Sequence, residues 1–388
     1  MESFYRTHKY LLSHLNSSVR RGLMDEINRQ DRLIGIKGSR GVGKTTFLLS
    51  YAKEFFGTDN RDCLYINLNH FFFSDRTLVD FAAEFLAQGG RTLLIDQVFK
   101  YPGWSKELRQ CYDCFPDLQI VFTGSSVMRL REENPDLWGK VSSYHLEGFS
   151  FREYLNLTAG CRFRAFTLGE VVEGHAEMEK EICSAVRPAE YFRDYLHHGF
   201  YPFFLEKRNF SENLLKTMNM TLEVDVMYIR QIEQRYLPKL RRLFYLLSLG
   251  APSALNVSRL SQTIEVSRAT VMNYIHYLKE ARLVNLLYTA GDEAGRKPSK
   301  VYLNNSNLMY AVNRLPVSEA DVHETFLCNQ LLKDNRVNTG GKGAAFRVNG
   351  MYDFRMAKGA KATQDPAVYC APAGNGRMIP LWLFGFLY

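Results

Sequence analysis

Hydrophobic and polar positions change their period several times along the chain, and each change predicts an element. Apolar runs of strand length occur at 33–36 (LIGI), 63–68 (CLYINL), 92–95 (TLLI) and 118–122 (LQIVF). Between them, helix-like stretches lie over 45–56, 75–86 and 105–114. Strands alternating with helices predict a parallel sheet covered on both faces. The first domain is therefore expected to be three-layer α/β over residues 1–155, entered through a basic amphipathic lead-in at 1–30. Residues 156–228 are more mixed. Helical spacing at 192–198 and 211–229, with GFYPFF (199–204) as a turn, predicts a helical linker or lid.

The pattern sharpens again at 257–286, which reads helix, turn, helix, strand. Residues 257–263 form the first predicted helix and 265–266 the turn, and Ser267 is a plausible N-cap for the second. Val271, Tyr274, Ile275 and Leu278 then recur at i, i+3, i+4 and i+7, one apolar face. Arg268, Thr270, Asn273, His276 and Lys279 fall mainly on other faces, as in a recognition helix facing a major groove. The strand 283–288 and the basic turn 291–300 complete a winged helix-turn-helix within residues 229–310. Gly-rich turns and short apolar runs over 311–388 suggest a small α+β unit. Its closing run, IPLWLFGFLY at 379–388, is too short to span a bilayer and is expected to be a buried strand or docking segment.

Composition narrows the class. The 388 residues are 46% hydrophobic and 23% charged, which excludes collagen, low-complexity disorder and a disulfide miniprotein. The net charge is +8, and residues 229–300 hold twelve Arg or Lys against five Asp or Glu, nearly the whole excess. That concentration points to an acidic surface as partner, duplex DNA through 257–300 being the candidate. Seven scattered cysteines suit a reducing compartment, and MESFYRTHKY at the start lacks an apolar core. A cytoplasmic chain with no membrane segment is expected.

The chemistry is carried by residues 38–45, G-S-R-G-V-G-K-T, a full match to G-x-x-x-x-G-K-[ST] between a predicted strand and helix. Gly38, Ser39, Arg40, Gly41, Val42 and Gly43 would turn backbone N–H groups toward phosphate oxygens, and the helix N-terminus adds a positive dipole end. Lys44 would reach the β and γ phosphates, Thr45 would ligate Mg²⁺, and Thr46 extends the cradle. Asp96, closing the run LLID, is the expected second magnesium group. AAA+ ATPases usually follow that Asp with a Glu that polarises the attacking water; this chain has Gln97, a neutral amide. ATP binding thus follows more securely than ATP hydrolysis. In VFTGSS, Thr123, Ser125 or Ser126 would act as a sensor beside the γ-phosphate, Ser125 being a candidate catalytic residue; the plain alternative is a hydroxyl-rich turn.

GSRGVGKTT, LLID followed by KYPGW (100–104), FTGSS and LEGFSFREYL (146–155) together resemble the prokaryotic AAA-like ATP-binding proteins of Bacteroides-type bacteria and archaea. HGFYPFFLE (198–206), SRATVMNYIHYLKEARLV (267–284), KVYLNNSNLMYA (300–311) and the closing run are similar to that family as well. The resemblance implies a P-loop ATPase domain, a winged helix and a C-terminal domain related to restriction endonucleases. Two departures fall on the hydrolytic machinery. Gln97 replaces the family's Glu, with Phe99 at its usual His. Lys140 stands where the family carries a candidate finger or sensor arginine; lysine keeps the charge without the planar fork.

The family's end domain implies an Asp and a Glu-x-Lys on adjacent strands. Glu324 matches a helix Glu, but Ala345 and Arg355 stand where Asp and Glu are expected, and Asp353 and Lys358 lack that spacing. A degenerate fold or docking module is expected, which argues against a nuclease. Cys111 and Cys114 form a lone C-x-x-C and read as packing, as do Trp104 and the pair His197–His198. The combined expectation is an ATP-binding AAA-like protein with slow or impaired Mg-dependent hydrolysis that positions the winged helix. The alternative is a non-hydrolysing ATP-gated DNA-binding regulator or protein adaptor, with a protein partner or a second copy as its target.

Overall fold

Continuous apolar runs do build a parallel sheet. In the computed structural model, which describes residues 1–15, 19–130, 134–206, 209–292, 297–313, 316–341, 343–357, 367–372 and 378–388, the chain divides into two compact units, Met1–Glu147 and Gly148–Tyr388. The first contains β1 (Leu33–Gly38), β2 (Cys63–Asn67), β3 (Thr92–Asp96), β4 (Gln119–Ser125) and β5 (Ser142–His145), in the order β2-β3-β4-β1-β5. All pairings are parallel. Its helices are α1 (Glu2–Ser13), the single turn α2 (Leu23–Glu26), α3 (Lys44–Phe55), α4 (Leu78–Ala87) and α5 (Trp104–Cys114). Strand β5 was not expected. Its residues, SSYH, are polar and half-buried because it is an edge strand beside β1, so no apolar run marks it.

In the second unit, Ser150 and Glu153 form a reciprocal capping box that starts α6 (Phe151–Thr158), and Thr167 with Glu170 does the same for α7 (Leu168–Ala185). The helix expected at 192–198 is instead α8 (Pro188–Asp194) followed by a widened turn, Tyr195–Gly199. The cause is local competition for carbonyls. Ser306 Oγ and Asn307 Nδ2 both donate to Leu196 O, and Asn307 Nδ2 also donates to Tyr195 O. Helices α9 (Phe210–Met220), α10 (Met227–Ile229) and α11 (Leu237–Gly250) lead to the pair α12 (Val257–Ile264) and α13 (Arg268–Glu280).

That pair is the expected helix-turn-helix. Ser267 Oγ caps α13, and Val271, Tyr274, Ile275 and Leu278 are its buried face. Strands β6 (Val284–Leu287) and β7 (Lys300–Leu303) pair antiparallel as a wing. Residues 293–296 of the predicted basic turn lie outside the described residues, as does Lys358. Helices α14 (Ser306–Val312) and α15 (Glu319–Leu331) precede a mixed sheet of β8 (Val337–Thr339), β9 (Phe346–Val348), β10 (Tyr352–Met356), β11 (Val368–Ala371) and β12 (Ile379–Pro380), in the order β12-β11-β10-β9-β8. The closing run is buried, but only its first two residues are strand. Leu381–Phe386 coil into 3₁₀ turns, since a continuous apolar run carries no period of its own. Phe386 there stacks on Phe166 and lies edge-on to Phe151, inside an aromatic core with Phe192, Tyr195 and Phe326.

An outer strand must have its free edge covered. On β2 this falls to α1, where His8 Nδ1 accepts the Tyr65 N–H at 3.0 Å. Accepting at Nδ1 fixes the neutral tautomer with hydrogen on Nε2, and burial pushes the imidazole down from 6.5 to about 4. Protonation would set an N–H against the Tyr65 N–H. As pH falls from 6.5 toward 4, the unfolded chain takes up a proton that the folded chain refuses, so stability drops. Chemical unfolding of the full chain across that range should therefore show a steeper loss than the same series on His8→Asn, by up to about 1.4 kcal/mol per pH unit. Because burial also lowers His197 and His323, the difference between the two series isolates His8.

Candidate nucleotide site

The site forms where β1, β3 and β4 end. After β1 the loop 39–43 turns into α3 through two left-handed glycines, Gly41 at φ 87° and Gly43 at φ 92°, conformations that side chains resist. Gly38 is small for another reason: a Cβ there would lie 2.6 Å from Leu146 O. Lys44 Nζ donates to Gly38 O and Ser39 O, both at 2.8 Å, folding the ammonium back across the loop. Ser39 and Val42 are buried, Arg40 is half-buried, and Thr45 and Thr46 open to solvent at the first turn of α3.

Asp96 is 1% exposed, and its carboxylate is satisfied by hydroxyls from three elements. Thr45 Oγ1 donates to Oδ2 at 2.6 Å and Tyr65 Oη donates to the same oxygen at 3.0 Å. Thr123 Oγ1 donates to Oδ1 and accepts the Gln97 N–H at 3.1 Å. Burial, and after it the Asp96 charge, holds the Tyr65 phenol far above its ordinary range, so it remains a donor. Gln97 sits in the left-handed region at φ 58°, ψ 43°, a strained position for a residue with a Cβ.

The three sensor candidates divide. Thr123 lies beneath Asp96. Ser125 is buried, pairs in register with Gly38, and accepts the Val127 N–H at 3.4 Å. Ser126 donates its N–H to Gly38 O at 3.1 Å, and its buried Oγ has no hydrogen-bond partner among the described residues. Lys140 is not brought to this site. Its Nζ lies 5.2 Å over the Tyr112 ring, on which Arg32 also stacks, and Arg32 precedes β1. That is the starting edge of the strands, opposite the loop, which corrects the expectation that Lys140 faces phosphate within the same chain.

Two residues escaped the sequence reading. Arg21 is buried and donates to Val42 O at 3.1 Å and Glu147 O at 2.7 Å, tying the lead-in to the loop. Tyr65 reaches Asp96 from the neighbouring strand. Nothing local distinguishes either one: Arg21 is one of several basic residues, and Tyr65 one aromatic in a strand.

These residues fit a magnesium nucleotide. The glycine turn presents backbone donors, Ser126 leaves a hydroxyl unpaired beside the loop, and Thr45 and Asp96 supply hard oxygen donors. Mg²⁺ takes few protein ligands and completes its shell with phosphate and water. Among the described residues no group of three His, Cys, Asp or Glu side chains could hold a metal by itself. In the second unit Glu324 Oε1 accepts from Lys300 Nζ and Tyr302 Oη, both at 2.6 Å. Ala345 donates its N–H to Phe354 O, and Asp353 faces Arg347 at 3.5 Å. Cys111 is buried and Cys114 exposed, both free; Trp104 packs on Phe122 and His197 stacks on Tyr310.

Comparison with known proteins agrees with this geometry. Residues 30–155 match the model of an AAA domain, and residues 189–319 match a domain of unknown function (DUF8612). The chain is similar to two uncharacterized proteins of Methanocaldococcus jannaschii, MJ1637 (27% identical over 289 residues) and MJ1544 (24% over 276). Those alignments take in 71% and 65% of this chain and 61% and 55% of theirs, so the chain spans less than two thirds of these curated relatives. Similar solved structures include the Aeropyrum pernix Orc1 protein in complex with DNA, 11% identical, covering 80% of this chain and 91% of that one at a TM-score of 0.29. Another is Cdc6p of Pyrobaculum aerophilum, 12% identical, covering 80% and 92% at 0.26. Residues 30–155 are an AAA-family P-loop NTPase domain, with the sheet order of that fold. No helix among the described residues is long and apolar enough to cross a membrane.

Lys44 is the one cation that the loop motif itself places in the cradle. Lys44→Ala should weaken ATP binding at least about tenfold, or 1.4 kcal/mol, and isothermal calorimetry with an unchanged affinity would remove the assignment of the cradle.

Proposed function

We propose that this protein binds Mg–ATP through residues 38–46 and Asp96, hydrolyses it slowly, and uses nucleotide occupancy to set the pose of its winged helix. The observation that carries the reading is Gln97. A neutral amide follows an Asp96 whose hydroxyl partners are all in place. Bound magnesium would withdraw charge from the phosphates and orient their oxygens. Thr45 and Asp96 would hold it, the loop N–H groups and Lys44 would bind phosphate, and Ser125 or Ser126 would contact the terminal group. Gln97 can orient a water but cannot take its proton. Lys140 has no part in this set.

General-base help is worth roughly 10² to 10⁴ in rate. Gln97→Glu should therefore raise single-turnover hydrolysis at least tenfold, with ATP affinity little changed. A brisk rate in the unmodified chain would refute the role given to Gln97. Equal, slow rates in both would move the defect to a group that another subunit must supply.

The winged helix supports duplex DNA as the partner. Arg268, Asn273 and Lys279 are exposed on α13, away from its buried face. Contacts of this kind to phosphate displace counterions, so affinity should fall steeply with salt. The full chain titrated onto a labelled duplex should show that slope. Arg268→Ala with Lys279→Ala should make it shallower by about one to two ions. Absence of binding at low salt would leave the protein-adaptor reading.

A further inference from the structure

A P-loop site needs a carboxylate near magnesium, but nothing in the motif says what fixes that carboxylate's orientation. Here the fixing groups can be named. A carboxylate offers about four lone-pair directions. Thr45 Oγ1 and Tyr65 Oη occupy two on Oδ2, and Thr123 Oγ1 occupies one on Oδ1. One direction is left for a water of the magnesium shell. Thr45 belongs to the motif and Thr123 to the adjoining strand, where a hydroxyl is expected. Tyr65 belongs to neither. It arrives from β2, is 7% exposed, and its backbone is held in turn by His8 of α1.

We propose that Tyr65 is a positioning residue for magnesium: its phenol holds Asp96 Oδ2 in place, and α1, through His8, holds Tyr65. The N-terminal helix is thereby part of the cation site although none of its atoms reaches the cation. Thr45 alone cannot substitute for the phenol. A threonine that turns its oxygen toward magnesium keeps a single O–H for Asp96, which leaves the carboxylate free to swing about that one bond. The phenol supplies a second donor on the same oxygen, from the neighbouring strand β2. Loss of the phenol should disturb magnesium and leave the phosphate cradle alone, because Tyr65 contacts Asp96 and not residues 38–44.

This inference rests on reading residues 38–46 and Asp96 as a Mg–ATP site, and the test separates the two. ATP binding is measured by calorimetry on the full chain, first in EDTA and then across a magnesium titration, for the unmodified protein, Tyr65→Phe, His8→Ala and His8→Asn. Tyr65→Phe should keep its EDTA affinity within about twofold and raise the magnesium half-saturation at least about fivefold, the effect of one lost bond to a charged group. His8→Ala should shift half-saturation the same way by less. His8→Asn, whose Oδ1 can still accept the Tyr65 N–H, should restore it. A merely structural role would lower thermal stability or EDTA affinity without moving the magnesium midpoint. An unmoved midpoint in Tyr65→Phe overturns the inference while the nucleotide site stands. An unmodified chain that binds no ATP, or binds it equally with and without magnesium, overturns the reading of the site and the inference with it.

Discussion

A carboxylate taken out of water has to be compensated, and Asp96 is almost wholly out of water. The compensation is three hydroxyls, none charged, from α3, β2 and β4. That requirement constrains much of the first unit. β3 has to lie between β2 and β4, as the sheet order provides, and the registers Asn67↔Asp96 and Ile95↔Phe122 set the flanking strands so that Tyr65 and Thr123 reach it. The loop 39–43 has to deliver Thr45 over the end of β3, which its glycine turns allow. Leaving any one hydroxyl out would leave a lone pair of a buried charge exposed to nothing, at a cost of about 1–3 kcal/mol or more.

The same bonds shape the residue that follows. Thr123 Oγ1 takes the Gln97 N–H while it donates to Asp96, and the chain bends left-handed at Gln97 to allow it. Strain of this kind, of order 1–3 kcal/mol, persists where surrounding bonds over-determine the backbone. None of those bonds involves the Gln97 side-chain amide. The backbone device that would aim a side chain at an attacking water is therefore independent of whether that side chain is an acid. On the proposed reading, binding and hydrolysis are separable in this site for that reason, because the bonds of the cradle and of the Asp96 cluster are made without the Gln97 side chain.

What could be read from the chain followed how local each signal was. The loop 38–45, Asp96 and the α12–α13 pair announce themselves because the chemistry or packing is carried by residues near one another in sequence. Strand β5 could not be read, since an edge strand with half-buried polar side chains has no apolar signature. Tyr65 and Arg21 could not be read because their partners lie 31 and 21 or more residues away, and nothing in their own neighbourhoods is unusual. Only the family resemblance points to a phosphate role for Lys140. The structure sets it over Tyr112, at the starting edge of the strands, where a cation–π contact accounts for it. The closing run was legible as buried and illegible as to form, because only its surroundings, Phe151 and Phe166 among them, decide how it coils.

The second unit shows the opposite solution to the same physical problem. Glu324 on α15 is half-buried, and it also accepts a phenol, from Tyr302. Its other partner is Lys300, a full positive charge at 2.6 Å, whereas the Asp96 partners are all neutral. The difference decides what each carboxylate can do. Glu324 has its charge balanced by Lys300 of the wing strand β7, so a divalent cation would have to displace an ammonium to use it. Asp96 is held by hydroxyls from three elements instead. On the proposed reading, such a carboxylate would meet a cation from outside. The chain thus carries two hydrogen-bonded acids, a half-buried one that fastens α15 to the wing and a buried one, Asp96, held by hydroxyls at the end of β3.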